Sequence, residues 1–297
     1  MYHQQSVFRK ISAGLQLAAA CAMAIALTTA PIARAQTCPP LPAGAIYPPS
    51  GTMVAWYPFD ETASPSIDLA TGNTVVWNGA APVTGEVKGA LNFSAGYIDT
   101  PDSIVTNFGP GGAATCPSGG DYSTCQGNFS IDVWVNLATV PLSGVNVIVD
   151  KRNTSEIGYS FYLYGQAGED NGNPWMGLQL GDRAHGYTNY GSPALPTLTA
   201  GSWHHVAVTV QRRGAAAAIL WYLDAVNQPN SPVAVPTQTG TLLNNVPLRI
   251  GANGPANGGG SNFMGSLDEL QIFNRALTAT EVLDIYNALS SGQCKPL

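Results

Sequence analysis

Phe129-Ser130-Ile131-Asp132-Val133-Trp134-Val135-Asn136 is the stretch of sequence that decides the fold. Ile131, Val133 and Val135 share one face of this stretch if it is a β-strand, because successive side chains of a strand point to opposite faces. That face is wholly apolar, whereas the other face mixes polar residues with Trp134. The alternation predicts a strand with one face in a hydrophobic core.

Similar β-prone runs follow one another along the chain, separated by Gly, Pro and Asn clusters. Turn signals recur at the spacing typical of a β-sandwich. The predicted strands are Val54–Tyr57, Val75–Trp77, Ala90–Phe93, Tyr97–Thr100, Phe129–Asn136, Asn146–Lys151, Ser160–Tyr164, Trp175–Leu180, Ser202–Gln211, Ile219–Leu223, Leu248–Gly251 and Gly265–Phe273. The series predicts an all-β sandwich of about a dozen strands.

One helix is predicted near the end of the sequence. Thr278-Ala279-Thr280-Glu281 matches a capping box, and the residues after it place apolar side chains on one helical face. Gly292 is the predicted end of this short helix.

The first 35 residues are typical of a secretory signal peptide. Arg9 and Lys10 precede an apolar run, which is followed by Ala33-Arg34-Ala35, so cleavage is expected before Gln36. A membrane anchor and a lipid-modified Cys21 are weaker interpretations, since polar residues interrupt the run and the chain stays apolar past Cys21. We expect a secreted, periplasmic or cell-surface protein, with no membrane insertion after cleavage.

Residues 36–52 are rich in proline and predict an extended lead-in, and residues 53–297 predict one domain. Cleavage removes three basic residues and no acids, which takes the net charge from −6 to −9. An acidic chain without a basic stripe argues against nucleic acid or anionic lipid as a partner.

Four cysteines remain after cleavage, and an even count in an exported chain indicates two disulfides. Cys116 and Cys125 are close neighbours in one Gly-rich segment, while Cys38 and Cys294 lie near the two ends of the mature chain. We therefore favour the pairs Cys116–Cys125 and Cys38–Cys294. Zinc is disfavoured, because no Cys-x-x-Cys pair or His cluster accompanies these thiols.

Taken together, these segments resemble the laminin G-like, concanavalin A-like jelly roll of bacterial exported proteins, from Met53 to Ala288. The marks of the resemblance are Val54-Ala55-Trp56-Tyr57-Pro58-Phe59-Asp60-Glu61, Gly85-Glu86-Val87-Lys88-Gly89-Ala90-Leu91-Asn92-Phe93, Phe129-Ser130-Ile131-Asp132-Val133-Trp134-Val135, Gly201-Ser202-Trp203-His204-His205-Val206, Leu248-Arg249-Ile250-Gly251 and Phe263-Met264-Gly265-Ser266-Leu267-Asp268-Glu269-Leu270. The resemblance implies a two-sheet antiparallel sandwich that often binds calcium and presents loops or a face to glycans or proteins.

A binding or adhesion module with a glycan ligand is the leading hypothesis for function, and we expect no catalysis. Retaining glycan hydrolysis needs two carboxyl groups ~5 Å apart, which one strand supplies from residues i and i+2 or i+4. No strand has such a run, and Asp268 and Glu269 are adjacent, so in a regular strand they point to opposite faces. The alternatives are a polysaccharide hydrolase or lyase and a cell-envelope component that binds a surface protein.

Two polar segments with interleaved aromatic residues form the predicted ligand site. The first segment, residues 168–174, is expected to be a loop, so that Trp175 directly after it lies at an exposed rim beside Asn173, and the second segment is expected to be a loop as well. The predicted site residues are Asn173, Trp175, Arg183, Tyr187 and Tyr190. Such a mixture suits a sugar, whose C–H faces stack on rings while its hydroxyls bind polar groups. The alternative is a solvated loop without function.

A structural calcium ion is predicted at Asp60 and Asp268. The resemblance implies the aspartate at Asp268, and the first and last strands of a jelly roll pair, which would bring Asp60 to the same edge. Neither acid has a Lys or Arg nearby in sequence apart from Arg275. The alternative is that both acids accept backbone hydrogen bonds.

His204 and His205 are interpreted as structural residues, because neighbours in a strand diverge and do not bind one ion together. A triad of Ser202, Asp224 and His205 was the remaining catalytic candidate, and no nucleophile-elbow spacing supports it.

Overall fold

The computed structural model describes residues 52–109, 127–141, 143–165, 172–230, 232–257, 261–288 and 291–295. Its strands, in chain order from β1 to β17, are Met53–Tyr57, Ser66–Ile67, Thr74–Val75, Trp77–Asn78, Ala81–Thr84, Gly89–Asn92, Tyr97–Thr100, Phe129–Leu137, Gly144–Arg152, Gly158–Gly165, Trp175–Asp182, Gly186–Gly191, Trp203–Gln211, Ala218–Leu223, Val226–Asn227, Leu248–Ile250 and Gly265–Phe273. One α-helix, α1, spans Ala279–Asn287.

Two large antiparallel sheets form a sandwich. One has eight strands in the order β15-β14-β13-β8-β17-β6-β5, with β1 also paired to β17, and the other has seven in the order β12-β11-β10-β9-β16-β7-β4. Strands β2 and β3 form a small separate pair. The predicted all-β sandwich with one short helix after its last strand is confirmed.

The hydrophobic core lies between the two large sheets. Ile131, Val133 and Val135 of β8 belong to it, as the alternation in the sequence predicts. From the opposite sheet, Phe161 and Leu163 of β10 point into the same core. Each fully buried side chain of this kind stabilises the fold by about 1.5–3 kcal/mol.

Helix α1 covers the second face of the eight-stranded sheet. Its buried residues Val282 and Ile285 pack with Ala207 of β13 in a separate apolar cluster, and Tyr286 stacks on Trp134 at 5.6 Å. Thr278 is the N-cap and forms the predicted capping box with Glu281. The helix ends at Asn287 with Ala288 as its C-cap, so it stops before the predicted terminator Gly292.

Four strands of the structure have no counterpart in the prediction, and one predicted strand contributes to two separate strands. The predicted run Val75–Trp77 contributes to both β3 and β4, and β2, β5, β12 and β15 have no predicted counterpart. Three of the four missed strands have two to four residues, too short for an alternating pattern to be recognised. Strand β12 has six and lies within one of the predicted ligand loops, which is therefore a wrong prediction.

Several predictions fall outside the described residues. They are the signal peptide, all of the lead-in except Thr52, and the cysteines Cys38, Cys116 and Cys125. Cys294 is buried, and both disulfide pairings stay predictions. Among the described residues, no helix is long and apolar enough to cross a membrane.

Candidate functional site

The outer face of the seven-stranded sheet presents a row of aromatic rings. In β10, Tyr159, Phe161 and Leu163 belong to the core. The residues between them, Ser160, Tyr162 and Tyr164, therefore lie on the opposite face, because strand side chains alternate. Tyr162 and Tyr164 are half-buried, so their rings are partly open to solvent.

Glycines in the neighbouring strands let these rings lie across the sheet. Tyr162 pairs with Gly177 of β11, and a Cβ atom at Gly177 would lie only 2.1 Å from Cε2 of Tyr162. A Cβ atom at Gly191 of β12 would lie 2.7 Å from the hydroxyl oxygen of Tyr164. A glycine inside a strand marks such a close approach, and here it leaves room for a ring.

The aromatic row continues from β10 to the first residue of β11. The ring centroids of Tyr162 and Tyr164 are 5.8 Å apart at 60°, and those of Tyr164 and Trp175 are 5.1 Å apart at 21°, which is a stacked arrangement. Burial, and then the neighbouring Tyr164, raises the pKa of Tyr162 to about 12, so its hydroxyl is neutral at physiological pH. That hydroxyl donates a hydrogen bond to Oδ1 of Asn189 at 3.4 Å.

A polar network adjoins the rings and is centred on Arg152 at the end of β9. Its Nε and Nη2 atoms donate to the two oxygens of Asp150 at 2.8 and 2.9 Å, and Nη1 donates to Glu156 at 3.0 Å and to Gln179. Gln179 in turn donates to Glu156 at 2.6 Å. Burial lowers the pKa of Arg152, but Asp150 and Glu156 outweigh this effect and the pKa is raised.

Five of these residues, Arg152, Glu156, Tyr162, Tyr164 and Gln179, line one cleft of about 700 Å³, which is the size of a small-molecule site. Its polar lining includes Thr154, Ser160, Asn189, Asn253 and Asn257. A partly exposed aromatic floor beside amide, hydroxyl and carboxylate groups is suited to stack on a sugar ring and to hydrogen-bond its hydroxyls.

The predicted rim position of Trp175 is wrong. Trp175 begins β11, is 8% exposed and is stacked against Tyr164. Its ring therefore supports the aromatic row and does not project from a loop.

The other predicted site residues are not brought together. Tyr190 lines the cleft, but its hydroxyl donates to Gln238 at 2.7 Å and its ring packs against the core. Tyr187 lies on edge strand β12, is 57% exposed and is not part of the cleft lining. Arg183 is in the exposed turn between β11 and β12, and Asn173 is half-buried just before β11.

Sequence reasoning missed the residues at the centre of the cleft, which are Arg152, Glu156, Tyr162, Tyr164 and Gln179. One signal was available, since Gly158–Gly165 alternates apolar residues with Ser160, Tyr162 and Tyr164. A strand with aromatic residues on its polar face indicates a surface platform.

The candidate triad is not assembled. Asp224 accepts from Nδ1 of His204 at 2.9 Å and meets only the backbone N–H of His205. The side chain of His205 is fully buried, 3.5 Å from Asp132. These histidines lie on the eight-stranded sheet, whereas the cleft is on the other sheet.

Asp60 and Asp268 do meet at one edge of the sandwich, because β1 and β17 pair as the topology predicts. A bulge between Asp268 and Gln271 places Glu269 at φ 51°, so the regular-strand geometry on which the prediction of opposite faces for Asp268 and Glu269 depends is not present. Burial raises the pKa of Asp268, and the charge of Glu269 raises it further.

The cation beside these acids is Lys295, which the sequence did not suggest. Its ammonium lies 2.6 Å from Asp60 Oδ2 and 2.5 Å from Glu269 Oε1. Arg275, the cation named from sequence, instead pairs with Glu281 at 2.5 Å. Among the described residues, no three His, Cys, Asp or Glu side chains are grouped to hold a metal ion. The set thus fits calcium poorly, because the ammonium of Lys295 is bound to the oxygens of Asp60 and Glu269 that a calcium ion would need as ligands.

An antiparallel jelly-roll sandwich with a cleft on the outer face of one sheet defines a protein of the concanavalin A-like class. The model of the concanavalin A-like lectin/glucanases superfamily matches residues 108–283, more than half of the sequence. The chain belongs to this superfamily. No curated protein matches the sequence.

Solved structures with the same fold include both enzyme-associated and toxin domains. Domain 4 of AbnA, a GH43 extracellular arabinanase from Geobacillus stearothermophilus in complex with arabinotriose, is 19% identical, with a TM-score of 0.51 over 78% of this chain and 97% of that domain. The binding domain of Paraclostridial Mosquitocidal Protein 1 is 15% identical with a TM-score of 0.56, covering 80% of this chain and 52% of its own.

The botulinum neurotoxin serotype G binding domain is 14% identical, with a TM-score of 0.53 over 79% of this chain and 50% of that domain. The chain thus spans about half the length of each toxin domain. At these identities the similarity shows a shared fold.

Proposed function

We propose that this protein is an exported, non-catalytic module that binds a glycan in the cleft on the seven-stranded sheet. The observation that supports the proposal is the pair of Tyr162 and Tyr164 rings, laid across glycines and open to the cleft. A solvated loop or a purely structural face does not require two half-exposed rings beside hydroxyl and amide groups in one cleft. Export rests on the signal-like first 35 residues.

The similarity to known structures agrees with a binding role. Domain 4 of AbnA is described in complex with arabinotriose, and the toxin domains are described as binding domains. A non-catalytic role agrees with the state of the carboxylates at the cleft, because Glu156, which lines it, and Asp150, which is buried beside it, both bind the guanidinium of Arg152. Because both carboxylates are bound to Arg152, they are not free to act as the general acid and the nucleophile of retaining glycan hydrolysis.

The test compares two tyrosine variants on a glycan array and by titration calorimetry. Tyr162→Ala removes the ring at one end of the aromatic row and should weaken binding about fivefold or more, since ring stacking contributes about 1 kcal/mol. Tyr187→Ala is the matched control, because it removes an exposed ring outside the cleft and should leave the affinity unchanged. Thermal melting of both variants separates lost binding from lost folding.

Three outcomes contradict the proposal. Absence of any glycan binding by the mature protein overturns it, and capture of a surface protein in its place supports the envelope-component alternative. If Tyr187→Ala loses glycan binding while Tyr162→Ala binds normally, the binding site lies at the residues predicted from the sequence and not in the cleft. Release of reducing-end or unsaturated products from a bound polysaccharide establishes the enzyme alternative.

A further inference from the structure

The positive charge of the candidate cleft is already paired with carboxylates of the protein. Arg152 is the only cation among the described cleft-lining residues. Four of its five N–H bonds are directed to Asp150, Glu156 and Gln179. The guanidinium of Arg152 is therefore already bound to protein side chains in the absence of a ligand.

Anionic groups surround that single cation. Asp150 is fully buried behind Arg152, and the side chain of Glu156 is 33% exposed at the cleft. A carboxylate or sulfate on a ligand would lose its hydration, find no free cation and approach Glu156. Such a pairing of like charges is unfavourable and discriminates against a ligand.

Uncharged hydroxyl groups meet no such penalty. The remaining polar lining consists of hydroxyl and amide groups, which both donate and accept hydrogen bonds. We infer that the cleft selects neutral sugar residues and rejects acidic ones of the same shape. This inference rests on the proposed glycan-binding function and names the class of glycan.

Matched pairs of oligosaccharides test the selection. Each pair has the same length, linkage and stereochemistry and differs only at C6, as in galacto- against galacturono-oligosaccharides, with the gluco and manno pairs alongside. We expect the neutral member of the bound pair to bind at least tenfold more tightly than the acid in low salt. The difference in affinity between the two members should be smaller at high salt, because salt screens the repulsion between the acidic ligand and Glu156.

Glu156→Gln removes one anion and keeps the side-chain shape. It should reduce the preference for the neutral member, while melting shows whether the fold is intact. Equal or tighter binding of the acidic member by the unmodified protein overturns the inference and leaves glycan binding standing. If the protein binds no member of any pair, the inference about neutral sugars is overturned, and the glycan array decides separately whether glycan binding stands.

A separate observation concerns the acidic edge of the sandwich. Each of its three carboxylates has one oxygen held by a fixed N–H donor: Gly89 N to Asp60 at 3.1 Å, Val87 N to Asp268 at 2.8 Å and Trp56 Nε1 to Glu269 at 2.6 Å. Lys295 is bound to the second oxygens of Asp60 and Glu269, and its side chain is only 15% exposed.

The geometry points to Lys295 as the internal counter-ion of this edge, in place of the calcium ion that the family resemblance implies. An ammonium group tethered to the chain pairs with Asp60 and Glu269 without a bound ion. The melting temperature of the unmodified protein should then be the same in chelator and in millimolar calcium, since an ion that does not bind the folded state does not stabilise it.

Removal of the Lys295 ammonium should make the melting temperature depend on calcium. Lys295→Met should lower the melting temperature by at least ~5 °C, because it leaves buried acids without a partner. Calcium should then recover part of the loss. Arg183→Met removes an exposed cation in the turn between β11 and β12, away from these acids, and should change neither value.

The unmodified protein decides the question even if Lys295→Met does not fold. A melting temperature that rises in calcium, and that loses this rise in Asp268→Asn, overturns the assignment of Lys295 and establishes the metal site. A melting temperature of Lys295→Met equal to that of the unmodified protein also overturns it.

Discussion

The ring of Trp175 is buried, although the residues before it in the sequence predict an exposed position. The residues before it are rich in Gly, Asn and acids, which is typical of a loop. In the structure the ring starts β11 and stacks on Tyr164, whose own ring faces the cleft. The apolar surface of Trp175 is therefore used to hold the binding platform in place.

We predict that Trp175→Ala lowers the free energy of unfolding by about 3 kcal/mol, the usual cost of deleting an enclosed large ring. Urea denaturation followed by circular dichroism measures this loss. Tyr187→Ala, an exposed ring on the neighbouring strand, should change stability by less than about 0.5 kcal/mol. Unchanged stability of Trp175→Ala together with weaker glycan binding would restore the predicted exposed position.

An ion pair joins helix α1 to the segment that follows β17. Arg275, which follows β17, donates to both oxygens of Glu281 at 2.7 and 2.5 Å, and the backbone N–H of Thr278 donates to the same carboxylate at 2.9 Å. Arg275 is the largest cause that lowers the pKa of Glu281 from 4.5 to about 2.

This shift predicts a pH dependence whose sign follows from linkage. A carboxyl with a lowered pKa in the folded state stabilises the fold fully above its unfolded pKa, near 4.5 here, and loses that contribution as the pH falls toward 2. Glu281→Gln should therefore melt below the unmodified protein at pH 7, and the difference should shrink between pH 4.5 and 2.

Melting curves at pH 7, 4 and 2 provide the measurement. Asp284→Asn is the control, since Asp284 is an exposed acid on the same helix. A difference for Glu281→Gln that stays constant over the whole range would contradict the assigned role of Glu281.

Strand β12 was missed because it lies at the edge of its sheet. It pairs only with β11, and none of its residues is buried. An edge strand of this kind needs no apolar alternation, and its two glycines and Asn189 are typical of turns. The backbone hydrogen bonds to β11 determine it, and these are a property of the folded sheet.

At the scale of the whole molecule, the disulfides are predicted to close the sandwich. The Cys38–Cys294 and Cys116–Cys125 bonds would stabilise the fold by about 5 and 3 kcal/mol in the chain-entropy model. Peptide mapping of the unreduced mature protein should recover both linked pairs and no free thiol. A peptide that links Cys38 to Cys116 would contradict this pairing.

The sequence alone determined the sandwich class, the inward face of β8 and the start of α1. Each depends on local order: a period of two places apolar side chains on one face of a strand, and a cap needs residues only three positions apart. These signals survive in a linear sequence because the residues that produce them are neighbours.

Only the tertiary structure decided the cleft and the counter-ion of the acidic edge. Tyr162 meets Gly177 because β10 and β11 pair in one register, and Lys295 meets Asp60 across 235 positions of the chain. Strand register and the docking of the segment after α1 are outcomes of global packing, so no local period encodes them. The candidate binding site therefore appears only when the strands are assembled into a sheet.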